Sequence, residues 1–300
     1  DEGRDVLVVK RMLVDHKFTL LGPTASVGGF FLGPIYYYFM VPFLWLFNLN
    51  PVGPAVMVGL FGTATIALVY LLGKKLFNTE TGIIASLLYA VSPVVINYSH
   101  SSWNPNLVPF FSSLFILVLD RINNLAQKKE IAILGVLMGV GLQLHYLFLF
   151  LGVLAFVHLY KLENKISIKE FSIFLIGFIV IFLPFIIFEL RHGFTNTQMI
   201  LRFIFTSNDT GFNLFHFIST IGDVTIRLFR RLVVNNDKLL TLIVMIIAGF
   251  GLFSKFKTDG WKNLKTTLFW LIVPLILFGL FKKPIYDYYL YSIAKRYDIK

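Results

Sequence analysis

Apolar segments of roughly bilayer-crossing length recur along this chain of 300 residues, and they restrict its fold more than any other feature. A helix needs about 20 apolar residues to cross the hydrocarbon core. Backbone polar groups inside that core must be satisfied within the protein, which favours helices. The pattern predicts an all-α, polytopic integral membrane protein. We expect about eight transmembrane helices, at residues 54–73, 82–99, 106–120, 131–144, 146–160, 171–188, 239–253 and 266–281.

The charged residues indicate how these segments are oriented. Only 14% of the residues are charged, against about 25% in a soluble domain. Short basic connections remain in the cytoplasm, whereas the connections 97–106 and 143–146 contain no Lys or Arg and are expected outside. The segment 191–238 is then a long external loop. The basic connections predicted to be cytoplasmic are 74–75, 121–129, 161–169 and 255–265.

The net charge of +11 therefore has a membrane explanation. Basic residues in short loops orient the protein and contact anionic lipid, so this charge does not indicate a nucleic-acid partner. The sequence contains no cysteine, which excludes disulfides, thiolate metal sites and a cysteine nucleophile.

The first five residues contain three carboxylates and one guanidinium, that of Arg4. In a helix, Asp1 and Asp5 share one face, and the apolar residues that follow form a stripe typical of a helix lying on a membrane surface. Such a cluster can supply a general base, with Arg4 keeping a neighbouring carboxylate ionised. The alternative is a solvated first helical turn, where acidic residues are favoured.

The remainder of the first 53 residues is predicted to form an external loop. Gly-Pro steps within residues 22–34 predict a shaped loop, whose Gly28-Gly29 pair could contact a phosphate or simply form a turn. The aromatic segment 35–47 would give a helix of about 20 Å, too short to cross the membrane. We interpret it as an interfacial helix. Because the chain starts with Asp and no apolar segment precedes it, we expect a first transmembrane helix upstream.

This orientation places five polar clusters on the outer face, where ionisable groups at membrane boundaries are usually functional. Each cluster also has a structural explanation, such as a helix-end ion pair, an interhelical hydrogen bond or a snorkelling lysine. The clusters are residues 1–5, 97–106, 143–146, 189–194 and 282–289.

Several stretches resemble the type-C glycosyltransferases, in particular glycosyltransferase family 39, which includes proteins similar to protein O-mannosyltransferases, and the lipid A aminoarabinose transferases. Asp1-Glu2 resembles the acidic motif of their first external loop. Ser101-Ser102 departs from the pattern, since many relatives carry an Arg there. The other similar stretches are 33–38, 70–77 followed by Ser92-Pro93 and Tyr98-Ser99, 143–146 and 189–196.

The resemblance implies one transmembrane glycosyltransferase domain over residues 1–300, in the cell membrane, with its active site on the external face. It implies inverting transfer of a sugar from a polyprenyl-phosphate donor to an acceptor hydroxyl, with no cofactor and no catalytic metal. In the predicted site, the catalytic carboxylates are Asp1, favoured as the base, Glu2 and Asp5. The groups for the donor phosphate are Arg4, Arg191, His192, Lys282 and Lys283. The substrate pocket comprises His100, Trp103, Asn104, Gln143, His145, Tyr146 and Glu189.

Two other classes of protein share the polytopic pattern. A transporter or lipid-sugar flippase would show polar residues at the middle of the membrane and repeated halves, whereas the predicted crossings here are nearly free of mid-span charge. A non-catalytic scaffold would not need carboxylates and cations to converge on one face. These differences favour the glycosyltransferase.

Overall fold

A computed structural model describes residues 2–25, 28–122, 127–160, 167–206, 213–234, 237–259, 272–273, 275–276 and 278–279. The regular structure of these residues is helical, which confirms the all-α prediction. The helices are α1 (Glu2–Val14), α2 (Ile35–Leu46), α3 (Val52–Leu76), α4 (Thr79–Ala90), α5 (Pro93–Ser99), α6 (Val108–Arg121), α7 (Lys128–Leu144), α8 (Leu149–Tyr160), α9 (Ile168–Arg191), α10 (Thr195–Thr206), α11 (Leu214–Leu232) and α12 (Lys238–Asp259). Short 3-10 helices cover Asn104–Leu107 and Tyr146–Phe148.

The chain forms two compact units. The first comprises Asp1–Leu87 and Asn97–Thr206, and it contains most of the residues predicted to form the site. The second comprises Leu88–Ile96 and Ser207–Lys300. Within the second unit, α11 packs against α12.

Two of the described helices, α3 and α9, are long and apolar enough to cross a bilayer. The predicted crossing at 82–99 is broken into α4 and α5, which are bent by 61° and would together make a third span. The break precedes Pro93, because proline disfavours helical geometry at the residue before it. The total of eight crossings stays a prediction, and the last, at 266–281, lies largely outside the described residues.

The helical structure is interrupted near His145, where the sequence predicted that two short helices meet. Helix α7 ends at Leu144, and His145 is extended, with φ −161°. The chain then passes through a 3-10 turn into α8. Helix α2 has 12 residues, or about 18 Å, so the prediction that this helix is too short to cross is also confirmed.

Close packing of α7 against α9 depends on glycine. A Cβ atom at Gly135 would lie 2.0 Å from the carbonyl oxygen of Phe174, and one at Gly177 would lie 2.4 Å from that of Ala132. Gly135 and Gly177 therefore allow the backbones of the two helices to approach closely. Elsewhere in the first unit, Lys75 Nζ pairs with Asp120 Oδ2 at 2.6 Å, so the carboxyl-terminal ends of α3 and α6 lie side by side.

Candidate active site

Asp5 joins the acidic helix α1 to α2. Its side chain is fully buried, and its Oδ1 atom accepts a hydrogen bond from the Tyr37 hydroxyl at 2.9 Å. The Nε and Nη2 atoms of Arg4 also donate to Oδ1, each at 3.2 Å. Burial raises the pKa of Asp5, whereas the Tyr37 hydrogen bond and the charge of Arg4 oppose that rise. Asp5 is therefore an anchor for both Tyr37 and Arg4.

A second set of contacts holds α1 and α2 to the polar segment before α6. The Ser101 hydroxyl donates a hydrogen bond to Glu2, and the hydroxyls of Tyr36 and Ser102 lie 2.9 Å apart. The sequence predicted that the acidic cluster and residues 97–106 would meet, but it did not single out these tyrosines and serines as the contacts. The tyrosines themselves could have indicated such contacts, because a buried tyrosine hydroxyl usually has a hydrogen-bond partner.

Beside this network lies a cavity of about 180 Å³. Four of the residues predicted for the substrate pocket line it, together with Arg4 and part of the loop 22–34. The side chain of Arg4 is 49% exposed, so its guanidinium both pairs with Asp5 and borders the cavity. The lining consists of Arg4, Pro23, Thr24, Ala25, Leu32, Trp103, Asn104, Pro105, His145 and Tyr146.

His145 has a defined hydrogen-bonding state in this lining. Its Nδ1 atom accepts a hydrogen bond from the Leu147 N–H at 3.2 Å. Burial lowers the pKa of His145 to about 4, which keeps the ring neutral near pH 7. A neutral imidazole that accepts at Nδ1 carries its proton at Nε2. The ring also stacks on Tyr146, with 4.5 Å between centroids.

One wall of the cavity comes from two paired segments, residues 22–25 and 28–33, which we call the hairpin. The Gly22 N–H donates to the Leu32 carbonyl at 2.8 Å, and the Leu32 N–H donates to the Pro23 carbonyl at 2.9 Å. Gly28 and Gly29 lie in a turn, with φ of 73° and 68°, angles that glycine adopts without strain. The hairpin is the shaped loop that the Gly-Pro steps predicted.

Two predicted pocket residues, Asn104 and Gln143, connect the surroundings of the cavity by hydrogen bonds to backbone carbonyl groups. The Asn104 Nδ2 atom donates to the Leu144 carbonyl at 2.7 Å, which joins its segment to the end of α7. Gln143 packs behind the hairpin, since a Cβ atom at Gly33 would lie 2.3 Å from Gln143 Oε1. The Gln143 Nε2 atom donates to the Ile181 carbonyl of α9 at 3.0 Å.

Glu189 is buried and holds the start of α10. Its two carboxylate oxygens accept the backbone N–H groups of Asn196 at 3.2 Å and Thr197 at 2.8 Å. Asn196 in turn contacts the hairpin through its side chain. Glu189, like Gln143, is not among the residues that line the cavity.

The other predicted residues lie outside the cavity lining. Arg191 and His192 are exposed at the end of α9, where the His192 ring stacks on Phe188 with 4.1 Å between centroids. His100 is exposed beside Ser99, whose hydroxyl lies 3.4 Å from the imidazole Nδ1. The predicted residues Asp1, Lys282 and Lys283 fall outside the described part of the chain.

The fold resembles that of two solved structures. The crystal structure of ArnT from Cupriavidus metallidurans bound to undecaprenyl phosphate is similar, with a TM-score of 0.67 and 15% sequence identity, over 97% of this chain and 52% of that one. Its apo state gives a TM-score of 0.62 and 14% identity over the same shares. The chain thus spans about half the length of these structures, and at this identity the likeness shows the fold.

Sequence comparison identifies the family. No curated protein gives a significant match. The family model described as dolichyl-phosphate-mannose-protein mannosyltransferase matches residues 32–188, more than half of the chain. This match covers α2 to α8 and most of α9, including the segment from Ser101 to Asn104 and the break at His145. The chain belongs to the dolichyl-phosphate-mannose-protein mannosyltransferase family.

Proposed function

We propose that this protein is a membrane glycosyltransferase that moves a sugar from a polyprenyl-phosphate donor to an acceptor hydroxyl on the external face. The observation that carries the proposal is the cavity beside α1, where Arg4 borders the lining and the carboxylates of Glu2 and Asp5 belong to the same helix. An acidic helix start, a cation and a small cavity with aromatic walls are the groups that such a transfer requires.

The chemistry follows from the charges that change during transfer. The acceptor hydroxyl attacks the anomeric carbon and gives its proton to a carboxylate of the acidic cluster, with Asp1 as the base. The bond from the anomeric carbon to the phosphate oxygen breaks, and the lipid phosphate leaves with both bonding electrons. Attack opposite the departing phosphate inverts the anomeric centre. In this proposal Arg4 stabilises the growing phosphate charge.

The donor class is supported by family membership and by the ArnT structure, whose bound molecule is undecaprenyl phosphate. A polyprenyl chain needs an apolar surface, and α3 exposes large side chains such as Val56, Leu60 and Leu71. An exposed apolar helix next to a polar cavity suits a substrate whose lipid tail stays in the bilayer while its headgroup reacts at the boundary.

Direct measurement of transfer tests this proposal. Membranes containing the full-length protein are incubated with polyprenyl-phosphate sugars labelled in the sugar, and the label is followed into products that have lost the lipid. We expect transfer by the parent and none by membranes without the protein. Passage of intact labelled lipid across the membrane, without transfer to an acceptor, would instead indicate a flippase.

The tautomer of His145 gives a separate prediction about the cavity. In His145→Asn, the short amide can accept a hydrogen bond from the Leu147 N–H, as Nδ1 does. In His145→Gln, the longer amide can also donate a hydrogen bond from the position of the Nε2–H group. We expect His145→Gln to retain at least about tenfold more transfer activity than His145→Asn, since losing a partner for a buried polar group is costly. Initial rates at limiting donor concentration measure the difference. Equal rates would restrict His145 to holding the Leu147 backbone.

The orientation is tested by labelling single cysteines. These 300 residues contain no cysteine, so Lys128→Cys and His192→Cys each add one thiol to them at an exposed position. We expect an impermeant maleimide added outside intact cells to label residue 192 and to reach residue 128 only after the cells are opened. Labelling of both from outside would contradict the orientation derived from the basic connections.

A further inference from the structure

A side chain outside the cavity lining, that of Asn196, binds the backbone of the hairpin wall. Asn196 Oδ1 accepts the Phe31 N–H at 2.7 Å, and Asn196 Nδ2 donates to the Phe31 carbonyl at 3.0 Å. The carboxamide therefore binds both backbone groups of one residue, as an adjacent β-strand would. Asn196 is 2% exposed. Phe31 directly precedes Leu32, which lines the cavity.

The position of Asn196 is itself determined by Glu189. The Asn196 N–H donates to Glu189 Oε1, and the neighbouring Thr197 N–H donates to Oε2. Between these residues, Gly193 and Phe194 adopt positive φ values of 65° and 60°, which turn the chain sharply from α9 into α10. A charged acceptor satisfies two N–H groups that have no partner within the helix. Glu189, Asn196 and Phe31 thus form a continuous hydrogen-bonded connection.

Apolar packing acts on the same hairpin. Phe30 is 5% exposed, and its ring lies 6.0 Å from that of Phe203 in α10 and 6.2 Å from that of Tyr146 in the cavity lining. Packing alone permits sliding along the contact, whereas a paired donor and acceptor specify one register. The polar contact at Phe31 therefore sets where Leu32 stands against the cavity.

We propose that Asn196 is a positioning residue for sugar transfer: through Phe31 it holds the hairpin wall in place for the donor headgroup, and Glu189 holds Asn196. This inference rests on the proposed function of the cavity. Neither residue lines the cavity, so they act through the wall and not by contact with the reacting atoms. Their loss is expected to affect the KM for the donor more than kcat.

The test compares Asn196→Ala with Gln198→Ala in the full-length protein. Gln198 lies one half-turn further along α10, is exposed, and donates to the Gly193 carbonyl at 3.1 Å, so its loss removes a side-chain amide without touching the hairpin. We expect Asn196→Ala to raise the KM for the polyprenyl-phosphate sugar about tenfold, as when buried partners are left unsatisfied. Gln198→Ala should match the parent. Glu189→Gln, a milder change, should raise the KM in the same direction.

A second readout does not depend on activity. A spin label on Thr24→Cys, an exposed position in the wall, should be more mobile with Asn196→Ala than with Gln198→Ala. Unchanged mobility in a folded Asn196→Ala protein would overturn the proposal, and so would greater mobility with an unchanged KM. If the parent transfers no sugar, the proposed function fails. The mobility of the spin label still shows whether Asn196 holds the hairpin wall.

Discussion

Replacing Asp1 with asparagine is expected to lower the rate of sugar transfer by about 10²–10⁴-fold, the usual loss when general-base assistance is removed. The amide keeps the shape of the side chain but cannot take the acceptor proton. Donor binding should change little, because in the proposed mechanism other groups hold the lipid tail and the phosphate. Initial rates and equilibrium binding of the same polyprenyl-phosphate sugar measure the two effects separately.

Asp5→Asn is the matched control for this experiment. Asp5 is fully buried and holds Arg4 and Tyr37, so its amide should reduce transfer less and should act mainly through the placement of Arg4. Glu2→Gln tests the neighbouring carboxylate in the same assay. If Asp1→Asn transfers sugar like the parent and Asp5→Asn is inactive, the base is Asp5. If all three variants are active, this stretch is a solvated helix start.

The largest effect on stability is expected from Gly135→Ala. The added methyl group would overlap the Phe174 carbonyl oxygen, at 2.0 Å, and both atoms belong to rigid helices that must move apart. We expect the free energy of unfolding to fall by about 1–3 kcal/mol, the usual cost of overpacking. Thermal unfolding of the purified protein in detergent, followed by circular dichroism, measures the loss as a lower Tm.

Gly249→Ala controls for the change in helix propensity. Gly249 lies within α12, and among the described residues no atom beyond its chain neighbours and the local helix backbone lies within 4 Å of a Cβ built there. The same substitution should therefore leave stability unchanged or raise it by up to about 1 kcal/mol, since alanine favours helix over glycine. Equal Tm values for the two variants would show that α7 and α9 separate readily and that the glycines do not determine their packing.

Local features of the fold were predictable from the sequence where a single physical rule governs them. The two short helices meeting near His145 follow from segment length. A shaped loop at residues 22–34 follows from the Gly-Pro and Gly-Gly steps, although its pairing as a hairpin was not predicted. The break in the 82–99 segment was readable from Pro93 but was not predicted, because high hydropathy alone favoured one span. Helix α2 was predicted as a short interfacial helix because both its length and its aromatic residues favour that interpretation.

The contacts that assemble the candidate site were less predictable. Glu2 meets Ser101 across 99 residues, and Asp5 meets Tyr37 across 32. Hydropathy patterns place such groups on the same face of a membrane but carry no information about which pairs form. Asn196 shows the same limit: it lies in a stretch that resembles the family, yet its partner Phe31 is 165 residues away.

This separation along the chain has a consequence for biosynthesis. The hairpin residues are synthesised well before Asn196, because the chain is made from its amino-terminal end. The Phe31 backbone therefore cannot bind the Asn196 carboxamide until the turn at Gly193 and the start of α10 have been synthesised. A nascent chain stopped before residue 196 would contain the family-matched helices and every residue that lines the cavity, but it would lack the side chain that holds Phe31.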